Sequence, residues 1–297
     1  MNQFDPNVSA HNNKWAEVAR VFAQATVVGS AALVVLIWFY FVNTVDGQKL
    51  DNAAFQGAVY GKQHLWGIAS SILNTVSITY IVLSILVIGA IALIQKRWVL
   101  AAQVVAVVAG ANITTQVVKA TLGRPDFDVT WGPANTLPSG HTTVAAATGV
   151  ALLLAAPRAW RPFAAIVGSG FTAAMGVSTL VGQWHRMSDV LAAILVTCAW
   201  GALVCVFATR RGADPVEQRS GSWLPAAAGA LGIVAIAAGG LAIWQFQGAH
   251  KAIQLDQVIT YDQQVDAYLG SVSATVALSA LVFTVLLLLR QATTRIR

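Results

Sequence analysis

Residues 178–211 read STLVGQWHRMSDVLAAILVTCAWGALVCVFATRR: a polar knot at Trp184, His185, Arg186, Ser188 and Asp189, an apolar run, then paired arginines. A run of that length, closed by charge at both ends, suits a helix crossing a hydrocarbon layer about 30 Å thick. Ionisable groups at such a boundary are costly unless they are solvated or paired, so the knot that opens the run carries information.

The same pattern repeats outward in both directions. Apolar stretches bounded by polar or charged residues lie at 20–43, 74–95, 99–118, 141–157, 162–183, 188–209, 224–246 and 271–289. With 57% of residues hydrophobic, 10% charged and a mean hydropathy of +0.66, the chain is too apolar for a soluble protein of its length. The expected fold is all-α, a polytopic membrane bundle of about eight transmembrane helices. No repeat of fixed period divides it, and Gly168, Gly170 and Gly176 would let its helices approach closely. The last two spans, within 212–297, carry no ionisable residue in their apolar parts and look like an appendage to the working core.

Charge orients the bundle. With segment 1–19 in the cytoplasm, Lys14, Arg20, Lys96, Arg97, Arg158, Arg161, Arg210, Arg211, Arg219, Arg290, Arg295 and Arg297 all fall on that side, as do both termini. The net charge of +6 therefore reflects topology, and no compact basic domain exists to grip nucleic acid. The long polar connections, 44–75 and 247–270, face outward, so the working face is expected to be extracytoplasmic. Tyr60, Trp66, Tyr261 and Tyr268 in them suit helices at the headgroup level or caps on the bundle. The first span lacks a small-residue cleavage pattern and reads as retained, and a retained multi-span chain suits a bacterial plasma membrane. Cys198 and Cys205 stand seven apart on one helix, roughly 10 Å along its axis, too far for a disulfide.

Three ionisable clusters fall on that outer face: Lys119 to Asp126 after the third span, Pro138-Ser139-Gly140-His141 opening the fourth, and Trp184 to Asp189 opening the sixth. Two of them begin helices, where free backbone N–H groups and the positive end of the dipole favour an anion such as phosphate. Lys119 and Arg124 could supply charge to a transferring phosphoryl group, as could Ser139 and the N–H of Gly140 through hydrogen bonds. Two histidines suit displacement at phosphorus, one attacking and one giving a proton to the leaving alcohol. His185 has Asp189 one helical turn later to fix its tautomer, which makes it the nucleophile; His141 has no matching acid and is left as proton donor. Two His and one or two Asp also permit a metal site, but without His-x-x-x-His or paired Cys spacing. His11, His64 and His250 read as solvated or interfacial.

These residues resemble the type-2 phosphatidic acid phosphatase family, whose pattern is Lys-x6-Arg-Pro, Pro-Ser-Gly-His and Ser-Arg-x5-His-x3-Asp. Pro138 to His141 match the second motif in full, and Ser178, His185 and Asp189 keep the spacing of the third. The resemblance covers about 20–211 and implies a six-helix core, a lipid phosphate substrate at the outer leaflet, no metal or other cofactor, and a phosphohistidine on His185 with His141 as acid. Two departures stand out. Arg124 comes two positions early, where a shortened loop could still deliver it, and Thr179 stands where the family has a phosphate-binding Arg, for which Arg186 is a candidate substitute. Losing one clamp on a transition-state oxygen costs on the order of 2.7 to 4 kcal/mol. Three functions follow from the resemblance: a phosphatase acting on a phosphomonoester or pyrophosphate of a phospholipid or polyprenyl lipid, a phosphotransferase resolving the same intermediate with an alcohol, or a protein that binds lipid phosphate without turnover.

Overall fold

Away from water every backbone N–H and C=O must be satisfied within the chain, and helices do this segment by segment. We describe the protein from a computed structural model over residues 6–75, 90, 98–129, 135–207 and 223–293, with side chains from Glu17 onward. Among the described residues there is no strand. Helix α1 (Pro6–Ile37) runs into a five-residue π-helical turn, Trp38–Val42, and α2 (Val45–Thr75) follows. Then come α3 (Trp98–Thr121), α4 (Gly140–Ala155), α5 (Arg161–Val181), α6 (Met187–Val206), α7 (Leu224–Gln254) and α8 (Tyr261–Thr293).

Among the described residues six helices are long and apolar enough to cross a membrane, which makes the chain a multi-pass membrane protein; α4 is apolar but only 16 residues long. The expected span 74–95 and connection 210–223 fall almost wholly outside the described residues, with Lys96, Arg97, Arg210, Arg211, Arg219, Arg295 and Arg297, and so do the side chains of His11 and Lys14. Helix ends follow local chemistry. Ser139 caps α4 by accepting the N–H of Thr142 at 3.3 Å, and α4 stops ahead of Pro157. Proline stands in the first turn of α5 and of α7, where its missing N–H costs nothing. Both long polar connections are largely helical: 44–75 is α2, and 247–270 is the adjoining ends of α7 and α8 around a non-helical 255–260.

Lipid tails are as apolar as leucine, so helices in a bilayer are held by close packing rather than by expulsion from water. The closest approaches involve α8. Phe283 lies against Gly149 of α4 and Gly168 of α5, where an added Cβ would stand 2.8 and 2.3 Å from its ring. Thr275 and Val190 close on Gly176, and Leu286 closes on Gly201. Of the three glycines expected to permit contact, Gly168 and Gly176 do so, whereas Gly170 is exposed and faces open space. The expectation of an appended C-terminal pair fails for α8, which runs through the core between α5 and α6 and reaches α2, where Tyr268 meets Gly61. A hydropathy profile could not show this, because the face that joins it to the core is itself apolar.

At the C-terminal end of α4, charges expected to sit at the cytoplasmic boundary turn inward. Arg158, Arg161 and Arg290 are buried, and they donate to backbone carbonyls of Gln291, Arg290 and Leu154 at 3.0, 3.5 and 3.2 Å. Gln291 returns a bond to the carbonyl of Arg158 at 3.0 Å, locking the end of α8 to the turn between α4 and α5. Cys198 and Cys205 are buried free thiols.

Candidate active site

The other end of α4 carries the chemistry. Between α5 and α6 the chain turns at Gln183, whose φ is 56°, and the turn is held by Trp184 N–H donating to the Thr179 carbonyl at 3.1 Å. The side chain of Gln183 reaches the Phe55 carbonyl on α2 at 3.1 Å. The turn delivers His185 to the start of α6, one helical turn ahead of Asp189. Nδ1 of His185 lies 3.2 Å from Oδ2 of Asp189, and the same oxygen accepts the N–H of Arg186 at 3.0 Å and the hydroxyl of Thr136. A carboxylate held this way accepts the Nδ1 proton, which leaves the lone pair on Nε2. His185 is 8% exposed and Asp189 is fully buried, so the pair is desolvated but still reachable.

The start of α4 is tied to this point by the backbone: Ser139 N–H donates to the carbonyl of Asp189 at 2.9 Å. His141 follows on the first turn, half-buried, with its ring centroid 5.3 Å from that of Trp184. With the Thr136 hydroxyl on the Asp189 carboxylate and the Ser139 N–H on the Asp189 carbonyl, the second and third motif clusters meet here. Lys119 is in the last turn of α3, and Asn135 binds the Lys119 carbonyl at 3.3 Å, joining the end of α3 to the approach to α4. A Cβ placed on Gly140 would meet open space, so this helix start is uncrowded on that side. Ser139 is more committed: its buried hydroxyl accepts from both Thr142 N–H and Thr142 O–H, and has only its own proton left to give.

The displaced Arg124 is also brought to the site, by residues that the motifs do not include. Its loop is docked by Trp38, which donates to the Gly123 carbonyl at 3.4 Å, and by Gln48, which bridges the carbonyls of Val42 and Pro125 at 2.7 and 2.8 Å. The guanidinium lies 3.6 Å from Oδ2 of Asp51, and Asp51 in turn accepts the hydroxyl and N–H of Ser188 at 2.6 and 3.2 Å. Burial and the charge of Asp189 push the Asp51 carboxyl above its usual range, while Arg124, Ser188 and Arg186 pull the other way. Arg186 is buried, with its guanidinium 5.4 Å over the ring of Phe55. It joins this cluster from inside instead of standing open at the surface. Thr179 is buried too, its hydroxyl donating to the Gly176 carbonyl at 2.7 Å.

Residues 100–213 match the model of the PAP2 superfamily. That match is consistent with membership of the type-2 phosphatidic acid phosphatase family, as the three motifs imply, and it spans less than half of the chain. No curated protein and no solved structure matches. The PAP2 segment begins in α3 and so leaves out α1 and α2, which the resemblance by motif takes in from residue 20. Asp51, Gln48 and Phe55 therefore lie outside it, and reading by motif misses them. A signal existed: Gln48, Asp51, Asn52 and Phe55 fall at i, i+3, i+4 and i+7, one face of a helix in a stretch otherwise read as a polar connection. His64 and His250, expected to be solvated or interfacial, are exposed and bond locally to the Tyr60 carbonyl and to Gln254. Among the described residues no group of three His, Cys, Asp or Glu could hold a metal ion.

Proposed function

We propose that the protein is an integral membrane lipid phosphate phosphatase, acting on a phosphomonoester or pyrophosphate of a phospholipid or polyprenyl lipid at the extracytoplasmic face. The observation that carries this reading is the Asp189–His185 pair at the start of α6, tied by the backbone to the start of α4 that carries His141. Nε2 of His185 attacks phosphorus, the P–N bond forming as the P–O bond to the lipid breaks, and His141 gives its proton to the departing oxygen. Water then attacks the phosphohistidine and yields a proton to His141, phosphate leaves and His185 is regenerated. The starts of α4 and α6, Lys119 and Arg124 supply donors and positive charge where the phosphoryl oxygens would lie.

The test uses the full chain in lipid nanodiscs without added metal. Phosphate release from dioctanoyl phosphatidate, together with an acid-labile, alkali-stable phosphoryl label on His185, is the expected result. Release by His185→Ala at the parent rate would overturn it. Labelled phosphate appearing on an added alcohol in place of water would make the protein a phosphotransferase. A non-catalytic lipid-phosphate binder is favoured by one observation, the buried Thr179 in place of an arginine, and predicts tight binding with neither turnover nor label.

A further inference from the structure

We propose that Asp51 is a positioning residue that holds Arg124 by one end of its guanidinium and so presents the other end as a preformed phosphate ligand at the start of α6. This rests on the reading of the site as one that binds phosphate. Asp51 is fully buried and comes from α2, outside the PAP2 segment and outside all three motifs. Two contacts of its carboxylate matter for Arg124. It lies 3.6 Å from Nη2 of Arg124, and it takes both donors of Ser188, the residue before Asp189. One side chain therefore ties Arg124 to the turn that carries the His185–Asp189 pair.

The rest of the guanidinium points to a ligand. Nη2 is engaged by Asp51 and by the Phe41 carbonyl at 3.3 Å, whereas Nε and Nη1 are buried without a hydrogen-bond partner, on a side chain only 3% exposed. Buried N–H groups left without acceptors are costly, and Nη1, a charged terminal donor, matches a phosphate oxygen, while the Nε–H points to the opposite side of the guanidinium and takes no part in that contact. The loop that carries Arg124 is fixed after it by α2, through Gln48 to the Pro125 carbonyl and Asn52 to the Val129 carbonyl at 3.3 Å, and before it by Trp38 to the Gly123 carbonyl. Because Arg124 comes two residues early in its motif, the motif spacing alone does not aim it; α2 does, with Asp51 as the charged contact.

The test measures binding of inorganic phosphate to the full chain by calorimetry, beside turnover of dioctanoyl phosphatidate and the thermal midpoint, for the parent, Asp51→Asn, Asp51→Glu, Arg124→Gln and the Asp51→Asn/Arg124→Gln pair. Asp51→Asn is expected to weaken phosphate binding about tenfold, the scale of one misaligned charge-assisted contact. Asp51→Glu, which keeps the charge, should recover most of that loss. On the Arg124→Gln background the Asn change should cost no more than about twofold, because its route to phosphate is already gone. Parent-like phosphate affinity in Asp51→Asn, or losses that simply multiply in the double variant, would overturn the inference. So would failure of both Asp51 variants to fold, which would mark the residue as structural, or a parent that binds no phosphate. Phosphate binding with this pattern but no turnover of any lipid phosphate would sink the phosphatase reading and leave the inference standing.

Discussion

His185 and His141 differ in what holds them, and that difference decides how their variants should behave. His185 is fixed through Nδ1 by a buried carboxylate with two further donors, so His185→Ala removes the nucleophile itself and should cost roughly a thousandfold or more in phosphate release. Asp189→Asn keeps the shape but unsettles the tautomer, with an expected loss on the order of 10² to 10⁴. His141 has no such anchor and stands beside Trp184. As a proton donor it matters in proportion to how poor the leaving group is, so His141→Ala should cost about 10² to 10⁴ with an alkyl phosphate and far less with a nitrophenyl phosphate. Equal losses with both leaving groups would remove His141 from that role. The histidines, Asp189, Lys119 and the start of α4 were legible in sequence because spacing along one chain is what a motif records. Asp51 was not, because its meeting with Ser188 joins residues 137 apart and only the fold brings them together.

At the scale of the element, α2 and α8 are where sequence reading fell short, for opposite physical reasons. α2 is too polar to announce itself as part of a membrane core, yet it buries Gln48, Asp51 and Asn52 against the loop of Arg124. α8 is apolar all along its spanning length, so hydropathy marks a span without saying which face meets which neighbour. The glycines supply what hydropathy lacks. Gly168→Leu should be destabilising by about 1 to 3 kcal/mol or more through collision with Phe283, read as a lower thermal midpoint in detergent. Phe283→Ala alone should cost about 3 to 5 kcal/mol. The two changes together should cost less than their sum, since the smaller ring site relieves the clash. Strict additivity would place the contact elsewhere.

At the scale of the whole molecule, α8 packs against α4, α5 and α6 and closes the arginine end of α4. A chain ending at residue 223 should therefore fail to give a stable core, and aggregation of the truncated protein on size exclusion is the expected readout; a monodisperse product would restore the view of an appended pair. Orientation can be checked with the protein's own chemistry. Both native cysteines are buried, so a cysteine introduced at Val258, which is 89% exposed in the 255–260 turn, is expected to be the reactive thiol. Labelling of that position on intact cells by a membrane-impermeant maleimide is expected, and labelling only after lysis would invert the topology. One further feature bears on the length of the chain. The π-helical turn Trp38–Val42 spans one residue more per hydrogen-bonded ring than an α-turn would. Deleting a single residue there would let α1 heal into regular helix while rotating whatever lies on one side of it by about 100°. The carbonyls of Phe41 and Val42 would swing away from Arg124 and Gln48, so a deletion that the helix absorbs would still be felt by the site, as if the chain kept count of its residues at this one turn.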